Sequence, residues 1–439
     1  MLLRLADRHI LNLAWPAILT NITGPLMSLV DTAVVGHLGD SSYIAGVALG
    51  GAVFNMVYWL LGFLRTGTSG LVGQAVGRGD QTSAVGLLRR MILVAFFAGV
   101  AIILFATPLC DGVMAFMDSE DSAQAPAQTY FHAAMWGAPA YLATCVLSGW
   151  FVGEQDTRPI LVMALVSNLL NVVLSPTLAF GAGLSVSGIA IATAISQWVA
   201  LVSGTVMLYR FSRRRKISLM ARSEHTVSIP RLLHINSDIF LRTLCLVAVT
   251  MWFTRSGASI STVVLAANAV LMQLFMLFSF FTDGFAFAGE ALAAKEYGAG
   301  KFGALRSTVS RLMLWSLILA LLFTLLYFIA GQWIVNILTD SMDVRQAASE
   351  TMLWVVAIPL CGFMAFTWDG IFIGMTLTGR MLISMALSMA VFFAVYFAAT
   401  PTLGVHGLWL AFVAYLAARS LCQWLMFRSY MRRIHSCSG

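Results

Sequence analysis

The sequence predicts an all-α integral membrane protein, with twelve transmembrane helices in two parallel six-helix repeats around a central cleft. Three observations carry that expectation. Of 439 residues, 59% are hydrophobic and only 10% are charged, a balance that soluble domains do not have. Apolar stretches of about 20 residues, enough to cross a hydrocarbon core about 30 Å thick, recur along the whole chain. The two halves also match one another in sequence.

In chain order the spans are expected at 11–36, 44–68, 88–110, 129–152, 159–180, 186–210, 236–256, 262–290, 310–338, 350–374, 381–399 and 404–428. The first is too long for a signal-peptide core and lacks a small-residue cleavage site, so it is expected to stay as a helix. The second ends near Arg65, and the third follows a basic loop. The fourth and fifth flank the polar GEQDTRP, and the sixth runs into the basic cluster that divides the chain. The remaining six repeat this order.

Basic residues gather on one side if the helices alternate. Arg4 and Arg8, Arg78, Arg89 and Arg90, Arg158, the run from Arg210 through Arg222 to Arg231, Lys295, Lys301, Arg306 and Arg311, Arg380, and Arg428, Arg432 and Arg433 all fall together. The opposite loops hold Asp40, Asp111, Asp118, Glu120, Asp121, Asp340, Asp343 and Glu350, with Arg255 and Arg345 as their only basic residues. Basic loops stay on the cytoplasmic side, so both termini are expected in the cytoplasm. The net charge of +7 then follows from topology and anionic lipid headgroups, and no nucleic-acid partner is expected. Six scattered cysteines form no CxxC pair, and the chain has no Walker loop, GxSxG elbow or HExxH. Neither an enzyme, a cofactor nor a metal centre is expected.

Gly149, Phe151, Gly153 and Thr157 match Gly370, Phe372, Gly374 and Thr378, each 221 positions apart, as do Leu71, Gly77, Gly79 and Arg90 with Leu292, Gly298, Gly300 and Arg311. After the inserted Gly379 the match continues one residue further on. Six helices per half is an even number, so both copies enter the membrane from the same side and the repeat is parallel. The expected parts are an N-lobe over 1–210, a basic linker over 211–233 and a C-lobe over 234–439.

Asp31 lies at membrane depth in the first span. A charge there costs roughly 2.5 to 3.5 kcal/mol even on lenient scales, so one that persists commonly faces a cavity and binds or relays something. Asn168, Asn171 and Ser175 share one face of the fifth span, and Thr20, Gly24 and Asp31 share a stripe of the first. If these faces meet, together with Thr193, Asp31 gains hydrogen-bond partners away from bulk water. A shielded carboxylate favours its neutral form, which suits it to load and release a proton. The plainer reading is a buried carboxylate that holds helices together. Pro16 removes a backbone hydrogen bond from the first span, giving either a static kink or a bend that responds to Asp31.

In the second half, Asp238 and Arg242 stand at i, i+4 and are expected to neutralise one another. Asp283 and Glu290 lie on one face of the eighth span, with Glu290 near enough to the end to reach water. One of Asp283 and Asp369 is expected to assist coupling or attract cations. Arg65 has no partner one turn away and either pairs across helices or snorkels.

Read together, LAWPAI at Pro16, LVDTAVVGHLG around Asp31, FVGEQDTRP, NLLNVVLSP from Asn168 to Pro176, VSGIAIAT ending at Thr193, NSDIFLRTL, DGFAFAGEA and WDGIFIG resemble the multidrug and toxic compound extrusion (MATE) transporters, especially their DinF-like branch. The resemblance covers nearly the whole chain. It implies two six-helix lobes and export of amphipathic or cationic drug-like compounds in exchange for protons or sodium, with an aspartate at Asp31 for coupling and a bend of the first helix as the coupling movement. It also implies that Asp369 stands where some sodium-coupled relatives carry an acid. Where many relatives have LDP, this chain has LSP with Ser175, which removes a second carboxylate and favours protons. The expected function is a proton-coupled multidrug antiporter of the bacterial cytoplasmic (inner) membrane. The alternatives are sodium coupling or a lipid-linked precursor flippase.

Overall fold

The computed structural model describes residues 5–37, 41–117, 121–221 and 227–437. Arg4, Asp40, Asp118, Glu120 and Arg222, counted above in the charge bias, lie outside the described residues. Those residues form helices and no strand. The first half contains α1 (Leu5–Gly36), α2 (Ser41–Leu60), α3 (Phe63–Gly77), α4 (Gln81–Leu104), α5 (Ala106–Met117), α6 (Asp121–Met135), α7 (Ala138–Gly153), α8 (Arg158–Pro176), a π-turn (Thr177–Gly181) and α9 (Ser185–Arg215). The second contains α10 (Ile229–Ile260), α11 (Thr262–Gly298), α12 (Phe302–Leu338), α13 (Met342–Gly374), α14 (Thr378–Leu403) and α15 (Val405–Cys437). Among the described residues, eleven helices are long and apolar enough to cross a membrane, and a twelfth span arises if the bent pair Gln124–Met135 and Ala138–Gly153 counts as one.

That pair is the expected fourth span, broken by 54°. Pro139 at the start of α7 has no N–H to continue the α6 ladder. The Trp136 carbonyl freed at the break accepts a hydrogen bond from Trp198 Nε1 at 3.1 Å. Gly137 lets the Gln197 amide approach so closely that a Cβ would collide with it.

The chain divides into two compact units, Trp15–Ile229 and Met1–Ala14 with Pro230–Gly439. In the first, α2 packs on α6, α3 on α7 and α8 on α9; in the second, α11 packs on α13 and α14 on α15. The same design thus recurs, with α11 standing for α2 and α3 together and α13 for α6 and α7. Its turns correspond bond for bond. After α3, Gly79 N–H donates to Val76 O and Asp80 N–H to Ala75 O; after α11, Gly300 donates to Tyr297 O and Lys301 to Glu296 O. Gly79 and Gly300 have φ of 77° and 68°, the left-handed conformation this helix end requires. Gln155 and Thr376 play that part after α7 and α13, with φ of 62° and 52°.

Two matched glycine pairs have a packing cause. A Cβ at Gly149 would strike the Arg65 carbonyl, and one at Gly370 would strike the Ala286 carbonyl. Gly153 and Gly374 similarly face the backbone N–H groups of Gly73 and Ala294. These helices cross backbone to backbone, as small residues permit within a membrane. Aromatic and branched residues fill each unit's core, including Phe54, Phe131 and Ile189 in the first and Phe253, Phe278, Phe392 and Trp409 in the second. Large apolar side chains such as Phe97, Phe328, Ile329 and Leu353 point outward, as a lipid-facing surface should.

Most helices run past the expected spans. α4 begins at Gln81, where Asp80 caps it, and α9 continues to Arg215. The connection between the halves is therefore 216–228, shorter than the segment 211–233 expected. Arg89 donates to the Leu219 carbonyl and Arg90 Nη1 to Val227 O at 3.0 Å, which ties this connection to α4.

Candidate functional site

Asp31 is 8% exposed on α1. Ser175 on α8 donates its hydroxyl to Asp31 Oδ1 at 2.9 Å and lies 3.4 Å from Asn171 Oδ1 one turn earlier. Asn171 Nδ2 donates to Thr193 Oγ1 at 3.1 Å, and Thr193 passes its own proton to Ile189 O on α9 at 3.2 Å. Asn171, Ser175 and Thr193 are all buried. The other oxygen of Asp31 accepts no hydrogen bond among the described residues. Pro176 closes α8 directly after Ser175, and the chain leaves through the π-turn. The serine hydroxyl thus sits on the last full turn, facing α1.

Four of the five expected residues meet. Asn168 does not: it is half-buried a turn below Asn171 and makes no hydrogen bond among the described residues. Thr20 is committed elsewhere, donating to the Pro16 carbonyl at 2.8 Å. α1 runs uninterrupted through Pro16 and through Pro25, which the sequence reading passed over. Sequence reasoning also missed Tyr130 on α6, buried beside Asp31 and within hydrogen-bonding reach of Thr193. Only the α6–α9 packing brings it there.

Asp369 on α13 is the centre of a second cluster and is 6% exposed. Arg242 on α10 and Arg419 on α15 both direct Nη2 at its Oδ2, and Gln423 Nε2 donates to Oδ1 at 2.7 Å. Asp283 and Tyr415 lie within electrostatic reach of both guanidiniums. The expected Asp238–Arg242 pair is therefore corrected. Arg242 reaches across to Asp369, while Asp238 accepts from Thr378 Oγ1 at 2.7 Å and lies 3.7 Å from His234 Nε2. Glu290 does not reach water; it is 1% exposed, where α11 presses on α13. Arg419 and Gln423 were legible by the argument that singled out Asp31, since ARSLCQW lies inside an apolar span. Arg65 on α3 stands near Tyr141 and Cys145 of α7.

The two clusters differ chemically. The first has one acid, hydroxyl and amide neighbours, and an oxygen open to a proton. In the second, donors reach both oxygens of Asp369, with two guanidiniums at Oδ2 and the Gln423 amide at Oδ1. Among the described residues no three His, Cys, Asp or Glu side chains group as metal ligands would.

Comparison with known proteins agrees with this architecture. The MatE family model matches residues 16–177 and 239–398. The chain is 36% identical over 428 residues to DNA damage-inducible protein F of Escherichia coli (strain K12), covering 97% of this chain and 93% of that one. It is 24% identical to a probable multidrug resistance protein NorM of Acinetobacter baylyi, covering 96% and 95% of the two chains. Among solved structures, a MATE crystal structure in the bent conformation superposes with a TM-score of 0.88 at 18% identity, over 99% of this chain and 97% of that one. The paired six-helix design, the acid on α1 and these matches lead to one conclusion: the chain belongs to the MatE family and is a multi-pass membrane transporter, not an enzyme.

Proposed function

We propose that this protein is a secondary active exporter of amphipathic or cationic drug-like compounds, exchanging them for protons by alternating access of its two halves, with Asp31 as the coupling acid. The observation that carries the reading is the setting of Asp31: a lone buried carboxylate with one hydroxyl donor and one oxygen free for a proton. Asn171, held by its bond to Thr193, sets its oxygen 3.4 Å from the Ser175 hydroxyl as the weaker acceptor for the proton that Asp31 takes at 2.9 Å. Tyr130 completes the polar wall.

In this scheme Asp31 takes a proton from the outer side, cargo affinity falls, cargo leaves outward, and the proton then leaves inward. A proton crossing 100 mV supplies about 2.3 kcal/mol, enough for roughly a fiftyfold gradient of neutral cargo. Pro16 is the point at which α1 would bend. The bacterial inner membrane is the proposed location, with both termini cytoplasmic, since basic residues gather on that side. Sodium coupling is the less favoured reading because Ser175 replaces a second acid beside Asp31. A flippase for anionic lipid-linked cargo is disfavoured because Asp369 and Asp283 offset the buried arginines Arg242 and Arg419.

The test is efflux of a cationic dye from proteoliposomes under an imposed pH gradient, with and without sodium. Native protein should follow the proton gradient without sodium, and Asp31→Asn should lose that dependence. Full gradient-driven export by Asp31→Asn would refute the proposal.

A further inference from the structure

The Asp369 cluster is built asymmetrically. The Arg419 side chain is 2% exposed, its guanidinium lies 5.7 Å from the centre of the Phe366 ring, and it donates a hydrogen bond to the Tyr415 hydroxyl oxygen. It is held from three sides. The Arg242 side chain is 17% exposed and reaches the cluster through a single Nη2 contact. The Nε of each guanidinium is buried without a partner, but Arg242 makes no further hydrogen bond among the described residues, whereas Arg419 also has Tyr415. A guanidinium has five N–H donors in a fixed fork that suits two-point binding of a carboxylate. Arg242 satisfies one of the five, so it is the loosely held member.

Charge decides what could replace it. Asp369 and Asp283 supply two negative charges against the two guanidiniums. A second cation entering in place of Arg242 preserves that balance, whereas an anion would displace a carboxylate and meet Asp283. A bare carboxylate inside the membrane is costly, so a resident arginine that yields to an incoming cation keeps Asp369 compensated at every stage.

We propose that Asp369 is a cation-exchange site for cargo, at which the planar N–H cation of an amidinium or guanidinium compound takes the place of the Arg242 guanidinium while Arg419 and Gln423 hold the carboxylate in position. Arg242 is then a tethered competitor that sets how strongly such compounds bind. This deepens the export reading and rests on it for the word cargo, but the contact itself does not depend on protons.

The test is calorimetric titration of the full-length protein in lipid nanodiscs, with no gradient, using benzamidine and its neutral analogue benzamide. Arg242→Ala should bind benzamidine about tenfold more tightly than native protein, the worth of one charge-assisted contact. Arg242→Lys should give a smaller gain in the same direction and stands in if the alanine variant does not fold. Adding Asp369→Asn should abolish the gain, and benzamide should be indifferent to all three changes. No gain in either Arg242 variant, an equal gain for benzamide, or a gain that survives Asp369→Asn would overturn the proposal. Asp31 is intact throughout, so a failure of proton coupling and a failure of this site give separate results.

Discussion

At the scale of single residues, one hydroxyl proton separates the two ways Asp31 could couple. Ser175 donates it to Oδ1 at 2.9 Å. A carboxylate in its place would put two acids beside the oxygens of Asn171 and Thr193, the oxygen-rich setting that hard cations favour. Ser175→Asp is therefore expected to make efflux respond to sodium, measured by dye export with and without sodium at fixed pH. Unchanged sodium independence would show that the second acid is not what selects the ion. This cluster was readable in the sequence because three of its members sit on two short helical stripes, where spacing alone predicts a shared face. Tyr130 and Arg242 were not readable. Their partners, Thr193 and Asp369, lie on helices distant in the chain, and only tertiary packing chooses between Arg242's neighbour one turn away and an acid across the unit.

At the scale of elements, helix ends follow local chemistry. Asp80 caps α4: its Oδ1 accepts from Ser83 N–H at 2.9 Å and from Thr82 Oγ1 at 2.8 Å. These bonds, that of Ser83 foremost, hold its carboxyl below the usual carboxylate range. The cap is thus complete above the ordinary aspartate pKa and is lost as pH falls through the lowered folded value. Asp80→Ala is expected to cost the first turn of α4 about 1 kcal/mol at neutral pH. Hydrogen exchange at Ser83 and Ala84 should quicken accordingly, with the difference from native protein vanishing in acid. The break between α6 and α7 escaped the sequence reading because hydropathy is continuous across 129–152. Its causes are Pro139 and the close approach of Gln197 to Gly137, and neither changes the apolar count. The repeated glycines could be matched in sequence, but their reason, backbone contact at crossing helices, required the fold.

At the scale of the molecule, twelve apolar spans and a repeat separated by 221 positions were enough to predict an all-helical, doubled membrane protein. The repeat is carried by turns and crossing points, which demand particular residues, while the surfaces between them need only be apolar and have diverged. Function was legible to the extent that charge in a membrane is costly: Asp31, Asp283 and Asp369 all stood out for that reason. What the sequence could not supply was the pairing. Asp31 ends with a single hydroxyl donor and Asp369 with two guanidiniums, so two buried acids of the same kind have opposite surroundings.

The most direct measurement of the central claim is proton release on cargo binding. Detergent-solubilised protein in weak buffer is titrated with ethidium while pH is followed, starting a little below neutrality. Native protein should release protons as ethidium binds, and Asp31→Asn should bind ethidium and release none. Equal release from both proteins would contradict the account, because the exchanged proton would then reside elsewhere than on Asp31.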